Sequence, residues 1–318
     1  MTETFRQHEL EVPSLPGGER LDAVLARLLP QYSRSRIAGW IRAGDVQLQG
    51  RAARPSEKVF GGEGVRLRAQ LEAAEDVRAE ALPIDFVHAD AALAIVNKPA
   101  GWVVHPGAGN REHTLQNALL AWDPALATLP RAGLIHRIDK DTSGLLVVGR
   151  TLESHTRLTR ALAAREIHRE YLALCLGRLT GGGTVDKPIG RHRTDRLRMT
   201  VREDGREAVT HYRLAERFAS HTLLRVQLET GRTHQIRVHL AHLGYPLVGD
   251  PLYGGRRQLT AGASPAVRAA LATFRRQALH AARLELEHPE SGEPLAFEAP
   301  LPEDFASLLA VLRAESRE

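Results

Sequence analysis

One nine-residue stretch constrains this chain more than any other: His136-Arg137-Ile138-Asp139-Lys140-Asp141-Thr142-Ser143-Gly144. It is dense in charge and hydroxyl groups, yet apolar Gly133-Leu134-Ile135 precedes it and Leu145-Leu146-Val147-Val148 follows. Apolar runs of that kind read as strand-like material. The stretch is thus a loop between strand-like segments, and a loop held by rigid elements is a common carrier of chemistry. Taken alone, its composition favours a solvated turn closed by Gly144. The rest of the chain has to decide.

At 318 residues, 43% hydrophobic and 25% charged, the chain has two-domain length and ordinary globular composition. No apolar run approaches the roughly 20 residues that span a bilayer. Met1-Thr2-Glu3-Thr4-Phe5-Arg6 lacks the basic-then-apolar order of a signal peptide, so a cytoplasmic protein is expected. Cys175, the single cysteine, excludes an internal disulfide and a multi-cysteine zinc site, and within its apolar run it reads as a packing residue. The net charge of +5 points to a polyanionic partner. Between Glu19 and Arg68 ten Lys or Arg face five Asp or Glu, so this short segment carries the whole excess.

Residues 1–18 end in Pro13-Ser14-Leu15-Pro16-Gly17-Gly18 and read as a lead-in arm. Leu21, Val24, Leu25 and Leu28 then recur at helical spacing. Ser33 fits the N-cap of a second helix with Ile37, Trp40 and Ile41 on its apolar face and Arg34, Arg36 and Arg42 elsewhere. Gly44 ends that helix, and Val46-Gln47-Leu48 and Val65-Arg66-Leu67-Arg68 alternate as strands. Two short helices and a hairpin studded with arginine suit a small RNA-binding module over 19–68. Arg20-Leu21-Asp22, Ser33-Arg34-Ser35-Arg36, Ile41-Arg42-Ala43-Gly44-Asp45-Val46 and Gly61-Gly62-Glu63-Gly64-Val65 resemble the S4 RNA-binding domain. The glycines at 61–64 form a turn and no phosphate loop, since no Gly-Lys-Ser/Thr follows. Residues 69–83, four acidic residues to one arginine, are the expected linker.

A second pattern starts at Ile84. Short strands are expected at 84–87 and 93–96, then a helix over 115–122 capped by Thr114 and another over about 151–164. Tyr171-Leu172-Ala173-Leu174-Cys175-Leu176 is a buried-type strand, and 180–230 reads as hairpins. One hairpin gathers Arg191, His192, Arg193, Arg196 and Arg198, for which RNA contact and a solvated tip are equally good readings. Glu229-Thr230-Gly231-Arg232-Thr233-His234-Gln235-Ile236-Arg237-Val238-His239-Leu240 is the second chemical stretch. There a strand turns through glycine into a helix, placing Thr233 and the first helical N–H groups where an anion could sit. A strand over 278–286 and an apolar helix over 305–312 close the chain.

Three chemistries compete for these residues. His234, His239 and His242 lack the spacing of two metal ligands on one helical face, and no carboxylate or thiolate completes the set. Asp141-Thr142-Ser143-Gly144 is faintly like an aspartic-protease loop, but no second copy supplies the partner acid, and there is no Gly-x-Ser-x-Gly elbow. The third reading uses one carboxylate as nucleophile or base and an arginine, Arg137 or Arg237 by type, to hold it ionised. With an RNA-binding segment in front, that arrangement suits chemistry at a flipped-out nucleotide.

These stretches also carry a resemblance. His136 to Gly144, Lys98-Pro99 through His105-Pro106, Arg169-Glu170-Tyr171 and Gly231 to His239 resemble, in order, the motifs of the RluA family of pseudouridine synthases, and the likeness covers essentially all of residues 84–315. It implies an α+β protein in which a synthase domain over 84–318, built on a mixed, largely antiparallel sheet, follows the S4-like domain. It implies isomerisation of uridine to pseudouridine in RNA with no metal and no cofactor. Asp139 matches the catalytic aspartate, Tyr171 the tyrosine that stacks on the base and takes its C5 proton, and Arg237 the arginine paired with the aspartate. Ile236 matches an apolar residue near the base and Arg137 a residue that helps displace the target nucleotide. His136, Thr142, Gly231 and His234 lie in the same substrate-binding motifs. Asp141, Thr142 and Ser143 are left to scaffold the loop through turn hydrogen bonds. Arg34, Arg36, Arg42, Arg191 and Arg193 are the expected RNA contacts.

Val103 to Asn110, Gly182 to Asp186 and Pro246 to Pro251 are most similar to members that act on large-subunit rRNA. The partner implied is 23S rRNA or the assembling large subunit, the target several uridines in the stem-loop that bridges the two ribosomal subunits, and a monomer is the default. Ile138 stands where leucine is usual and Arg169 where lysine is usual.

Overall fold

A computed structural model describes residues 4–29, 32, 34–71, 77–107, 109–255 and 263–315. The chain divides into two compact units, Met1–Val77 and Arg78–Glu318.

The first unit holds β1 (Thr4–Glu11), β2 (Glu19–Arg20), α1 (Leu21–Leu28), α2 (Arg34–Ala43), β3 (Val46–Leu48), β4 (Arg51–Ala52), β5 (Lys58–Val59) and β6 (Gly64–Leu71). The helical periodicity works as the sequence demands. Leu21, Val24 and Leu25 of α1 and Ile37, Trp40 and Ile41 of α2 bury against Val46, Leu48, Val65 and Leu67. The sheet order is β1-β6-β3-β4. Two expectations differ. Thr4–Glu11 is no free arm; it pairs antiparallel with β6 from Thr4↔Leu71 to Glu11↔Gly64, covering a strand edge that would otherwise present unpaired backbone groups. For the same reason β6 runs on through 69–71, the start of the expected linker. Residues 72–76 of that linker, the proposed cap Ser33 and the Arg36 side chain lie outside the described residues.

The second unit opens with β7 (Phe86–Ala89), β8 (Leu93–Lys98), α3 (Leu115–Trp122), β9 (Ser143–Gly149), α4 (Leu152–Ala163) and β10 (His168–Leu176). It continues with β11 (Gly183–Asp186), β12 (Ile189–Arg191), β13 (Met199–Val201), β14 (Val209–Arg217), β15 (His221–Leu228) and α5 (Gln235–His242). It ends with α6 (Pro265–Thr273), β16 (Leu279–Glu287), β17 (Pro294–Glu298) and α7 (Glu303–Glu315). Thr114 caps α3, its side chain accepting from the Asn117 N–H while Asn117 returns the bond. The large sheet runs β11-β14-β15-β10-β16-β9-β8-β7, with β17 paired to β16. Its pairings are antiparallel except β9 with β16, so the sheet is mixed and largely antiparallel as expected. Among the described residues no helix is long and apolar enough to cross a membrane.

The centre of this sheet positions the site. Every residue of β9 is buried, matching its unbroken apolar sequence. The Gly133-Leu134-Ile135 segment before the loop is not a strand. A 3-10 turn over Pro130–Gly133 leads into a single bridge, Leu134 with Val148. The loop is therefore braced by one strand on its C-terminal side. Gly144 is fixed by close approach: its φ is +114°, and a Cβ there would lie 2.2 Å from the Ala281 carbonyl oxygen. Only glycine lets β9 begin against β16 at this point.

Candidate active site

Loop 139–143 is held from several sides. The Lys98 ammonium, buried at the end of β8, donates to the carbonyls of Pro99 (2.7 Å) and Lys140 (2.9 Å), and the Gly101 N–H also reaches the Lys140 carbonyl. Arg276 donates to the Asp141 carbonyl at 3.2 Å and the Gln277 amide to Thr142 Oγ1 at 3.1 Å. Ser143 Oγ and His280 Nδ1 are 3.0 Å apart. One local bond, Thr142 N–H to the Asp139 carbonyl, tightens the turn. The scaffolding role expected of Asp141, Thr142 and Ser143 is thus carried mainly by partners more than 130 residues away in sequence, with local turn bonds secondary.

Tyr171 approaches from β10 on the neighbouring side of β16. Ala281 of β16 pairs with Gly144 on one side and Tyr171 on the other. The β10–β16 register shifts between Glu170 and Tyr171, an irregularity of the kind that re-aims side chains beside active sites. The opposite wall comes from the β15–α5 connection. Gln235 organises it: its Oε1 accepts from Thr230 Oγ1 and the Arg232 N–H, while its amide donates to the Val209 carbonyl and Thr210 Oγ1. His234 precedes α5 in the left-handed region, φ +57°, a strained conformation outside glycine, with its Nδ1 2.9 Å from the Tyr253 hydroxyl.

Arg237, on the first turn of α5, joins the two walls. Its Nη1 donates to Asp139 Oδ2 at 3.0 Å, while its Nε and Nη2 donate to Asp250 Oδ2 (2.7 Å) and Oδ1 (2.9 Å). The Arg237 side chain is 4% exposed, Asp250 0% and Asp139 17%, so Asp139 is the most open of the three, Arg237 lines the cleft from behind it, and Asp250 lies outside the lining. The cleft is open to solvent on one side and is lined by residues of 137–142, 169–171, 228–237 and Leu279.

The electrostatics follow from burial and pairing. Burial works against the charge on Arg237, yet the Asp250 and Asp139 carboxylates outweigh it and raise its pKa. Burial pushes the Lys98 ammonium down to about 7, opposed by Asp141 and Asp139. Burial raises the Tyr171 phenol, with the Arg169 charge acting in the other direction. Burial takes His136 down to about 3, helped by Arg169.

Asp139, Tyr171, Arg237, Arg137, Ile236, Thr142, Gly231 and His234 all line the one cleft. His136 does not. It turns away into the core, where its Nε2 lies 3.4 Å from the Val147 N–H, so its place beside Arg137 in sequence does not make it a wall residue. Arg34 is exposed and bonded to Asp22 at 3.0 Å, Arg42 is exposed, and Arg191 and Arg193 are exposed on the β12–β13 hairpin. Sequence reasoning missed Asp250, Lys98, Gln277 and Gln235 as parts of the site. Arg169, read only as a departure from lysine, lines the cleft. Among the described residues no group of three or more His, Cys, Asp and Glu side chains is placed to hold a metal ion.

Comparison with known proteins identifies the family. The RNA pseudouridylate synthase family profile matches residues 92–242 and the S4 domain profile residues 19–65. The ribosomal large subunit pseudouridine synthase D of Xanthomonas campestris pv. campestris is 54% identical over 96% of this chain and 92% of its own length. The protein of the same name from Escherichia coli K12 is 51% identical over 95% of this chain and 93% of its own. Among solved structures, human RNA pseudouridylate synthase domain containing 4 superposes with a TM-score of 0.57 at 27% identity, covering 72% of this chain and 93% of that one. By sequence and fold, the chain belongs to the RNA pseudouridine synthases and carries an S4 domain ahead of the synthase domain.

Proposed function

We propose that this enzyme converts uridine to pseudouridine in large-subunit rRNA, with Asp139 as the group that opens the glycosidic bond. The observation that carries this reading is the charge pattern of the cleft: Asp139 is the sole carboxylate among its described lining residues, and Arg237 holds it. The reaction exchanges one bond for another. N1–C1′ breaks, the uracil turns, C5–C1′ forms, C5 loses a proton and N1 gains one, so neither an oxidant nor a cofactor is called for. A carboxylate at this position either attacks C1′, as in retaining glycosidases, or removes a 2′ proton; both use a free carboxylate oxygen, and Arg237 holds the other one at 3.0 Å. Tyr171 and Ile236 face the base. A phenol whose ionisation burial suppresses is better suited to hold the base than to take its C5 proton. Arg137, exposed at the rim, fits the space a displaced nucleotide leaves, with Thr142, Gly231 and His234 completing the wall.

The RNA is bound elsewhere on the chain through phosphates, by Arg34, Arg36 and Arg42 of the S4 domain and Arg191 and Arg193 of the hairpin. Relatives at 51–54% identity named for the large ribosomal subunit support that substrate, and the similar motifs around 103–110 and 246–251 support the intersubunit-bridge stem-loop of 23S rRNA, free or in an assembling subunit. Such a substrate puts the enzyme in the cytoplasm. A monomer suffices, because one chain supplies every residue of the cleft.

The test is large-subunit rRNA carrying tritium at uridine C5. Enzyme should release tritium and leave pseudouridine at a few discrete positions while small-subunit rRNA stays unmodified. No release from large-subunit rRNA would overturn the reading.

A further inference from the structure

We infer that Asp250 is a positioning residue that sets how strongly Arg237 holds Asp139. This rests on the proposed role of Asp139. The motif Pro246-Leu247-Val248-Gly249-Asp250-Pro251 has no part in the mechanism as written, and Asp250 never reaches the cleft. Its carboxylate is fully buried, and every bond it makes turns inward. Oδ1 accepts from the Leu252 N–H (2.9 Å), the Tyr253 N–H (3.0 Å) and Arg237 Nη2, and Oδ2 accepts from Arg237 Nε. A carboxylate so placed cannot exchange its partners for water, so the Nε–Nη2 edge of the guanidinium is committed to it. Only Nη1 remains for Asp139, at 3.0 Å. The arrangement has two consequences. The planar fork is fixed in one orientation, which aims Nη1 at a single Asp139 oxygen and leaves the other oxygen open to the cleft. The buried pair of Arg237 and Asp250 also sums to zero charge, so Asp139 receives a directed hydrogen bond without facing an uncompensated cation. A carboxylate held in that way is fixed in place by one oxygen and keeps the other for carbon or a proton.

Tyr253 reinforces the arrangement. Its ring lies under the Arg237 guanidinium, 5.1 Å from ring centroid to Cζ, and its hydroxyl meets His234 Nδ1 and the Met199 N–H. Asp139 also feels Lys98, His234, Tyr171 and Tyr253, with Arg137, Arg169 and Arg232 in the cleft wall. His234 and Tyr253 also feel the Asp250 charge, so the reading that isolates position 250 is the dependence of its effect on Arg237.

The experiment is single-turnover pseudouridine formation with Asp250→Asn in the full-length enzyme. The rate at neutral pH should fall about 100-fold, the loss typical of a misaimed catalytic group. RNA affinity should stay within twofold, about the limit of the measurement. An unchanged rate, or a slower rate matched by an equal loss of RNA affinity, overturns the proposal in favour of plain scaffolding. A background of Arg237→Gln gives the second reading, and it remains usable if Asp250→Asn alone does not fold, because the double variant buries no lone charge. Adding Asp250→Asn to Arg237→Gln should cost less than about threefold further, and a multiplicative loss contradicts action through Arg237. Wild-type enzyme in the same assay separates the premises: inactivity there condemns the proposed function, not the role of Asp250.

Discussion

The two units of this enzyme use arginine in opposite ways. In the first, Arg27 pairs with Glu19, Arg51 with Glu57 and Arg66 with Glu9, and in each pair the arginine is more than half exposed. Such pairs contribute little to stability, are screened by salt, and exchange readily for phosphate. In the second, Arg237 is 4% exposed and binds two carboxylates through three nitrogens. Removing Arg237 leaves the buried Asp250 carboxylate without a counter-charge. The same side chain is free to change partners where water reaches it and is fixed in one geometry where water does not, which under the proposed function suits phosphate contact in the first case and support of Asp139 in the second. Affinity and catalysis should therefore respond to different perturbations.

The largest separation is expected at Asp139. Asp139→Asn keeps the shape of the loop but removes the ionised oxygen, so turnover should fall by about 10⁴-fold or more while RNA affinity persists, as filter binding beside a single-turnover assay would show. Parallel loss of affinity would break the comparison from the catalytic side. Removing residues 1–77 should do the reverse: binding weakens about 100-fold at physiological salt and the slope of log K against log salt becomes shallower. A slope that does not change would mean the first unit contributes no phosphate contacts. Arg191→Ala with Arg193→Ala should show the same signature on a smaller scale, each lowering the salt slope by about one without altering the single-turnover rate at saturating enzyme.

The smallest effect concerns stability, and it sets buried charge against pH. Burial holds His136 neutral down to about pH 3 and His105 to about pH 4, whereas in the unfolded chain both take a proton near 6.5. The unfolded state then binds more protons, so stability is fully present above pH 6.5 and is lost as pH falls toward 4. His136→Phe should flatten that loss by an amount on the order of a few kcal/mol, read as a smaller shift in urea midpoint between pH 6.5 and 4.5. An identical acid response in variant and parent would remove His136 from the account.

Local pattern revealed much of this molecule. Helical spacing predicted α1 and α2, Thr114 marked the start of α3, and the unbroken apolar run after Gly144 became the fully buried β9. Asp139 and Arg237 lie in stretches dense in charged and polar residues, whereas Tyr171 sits in a buried-type strand and only the family resemblance singled it out; the structure lines one cleft with all three. What sequence could not reveal depends on pairings between distant segments. The parallel contact of β9 with β16 joins residues 137 positions apart, so nothing near Thr142 or Ser143 announces Gln277 or His280 as their partners. Asp250 follows a turn glycine and looks like any surface turn acid until α5 is laid against it. His136 erred the other way: one place from a cleft residue, its side chain is carried inward.

The most direct measurement is pseudouridine mapping across total rRNA from cells that lack this gene and carry either the wild-type chain or Asp139→Asn. Discrete positions in the large-subunit rRNA should be uridine without the gene, become pseudouridine with the wild-type chain, and stay uridine with the variant. Unchanged modification in the absence of the gene, or restoration by Asp139→Asn, would contradict the account.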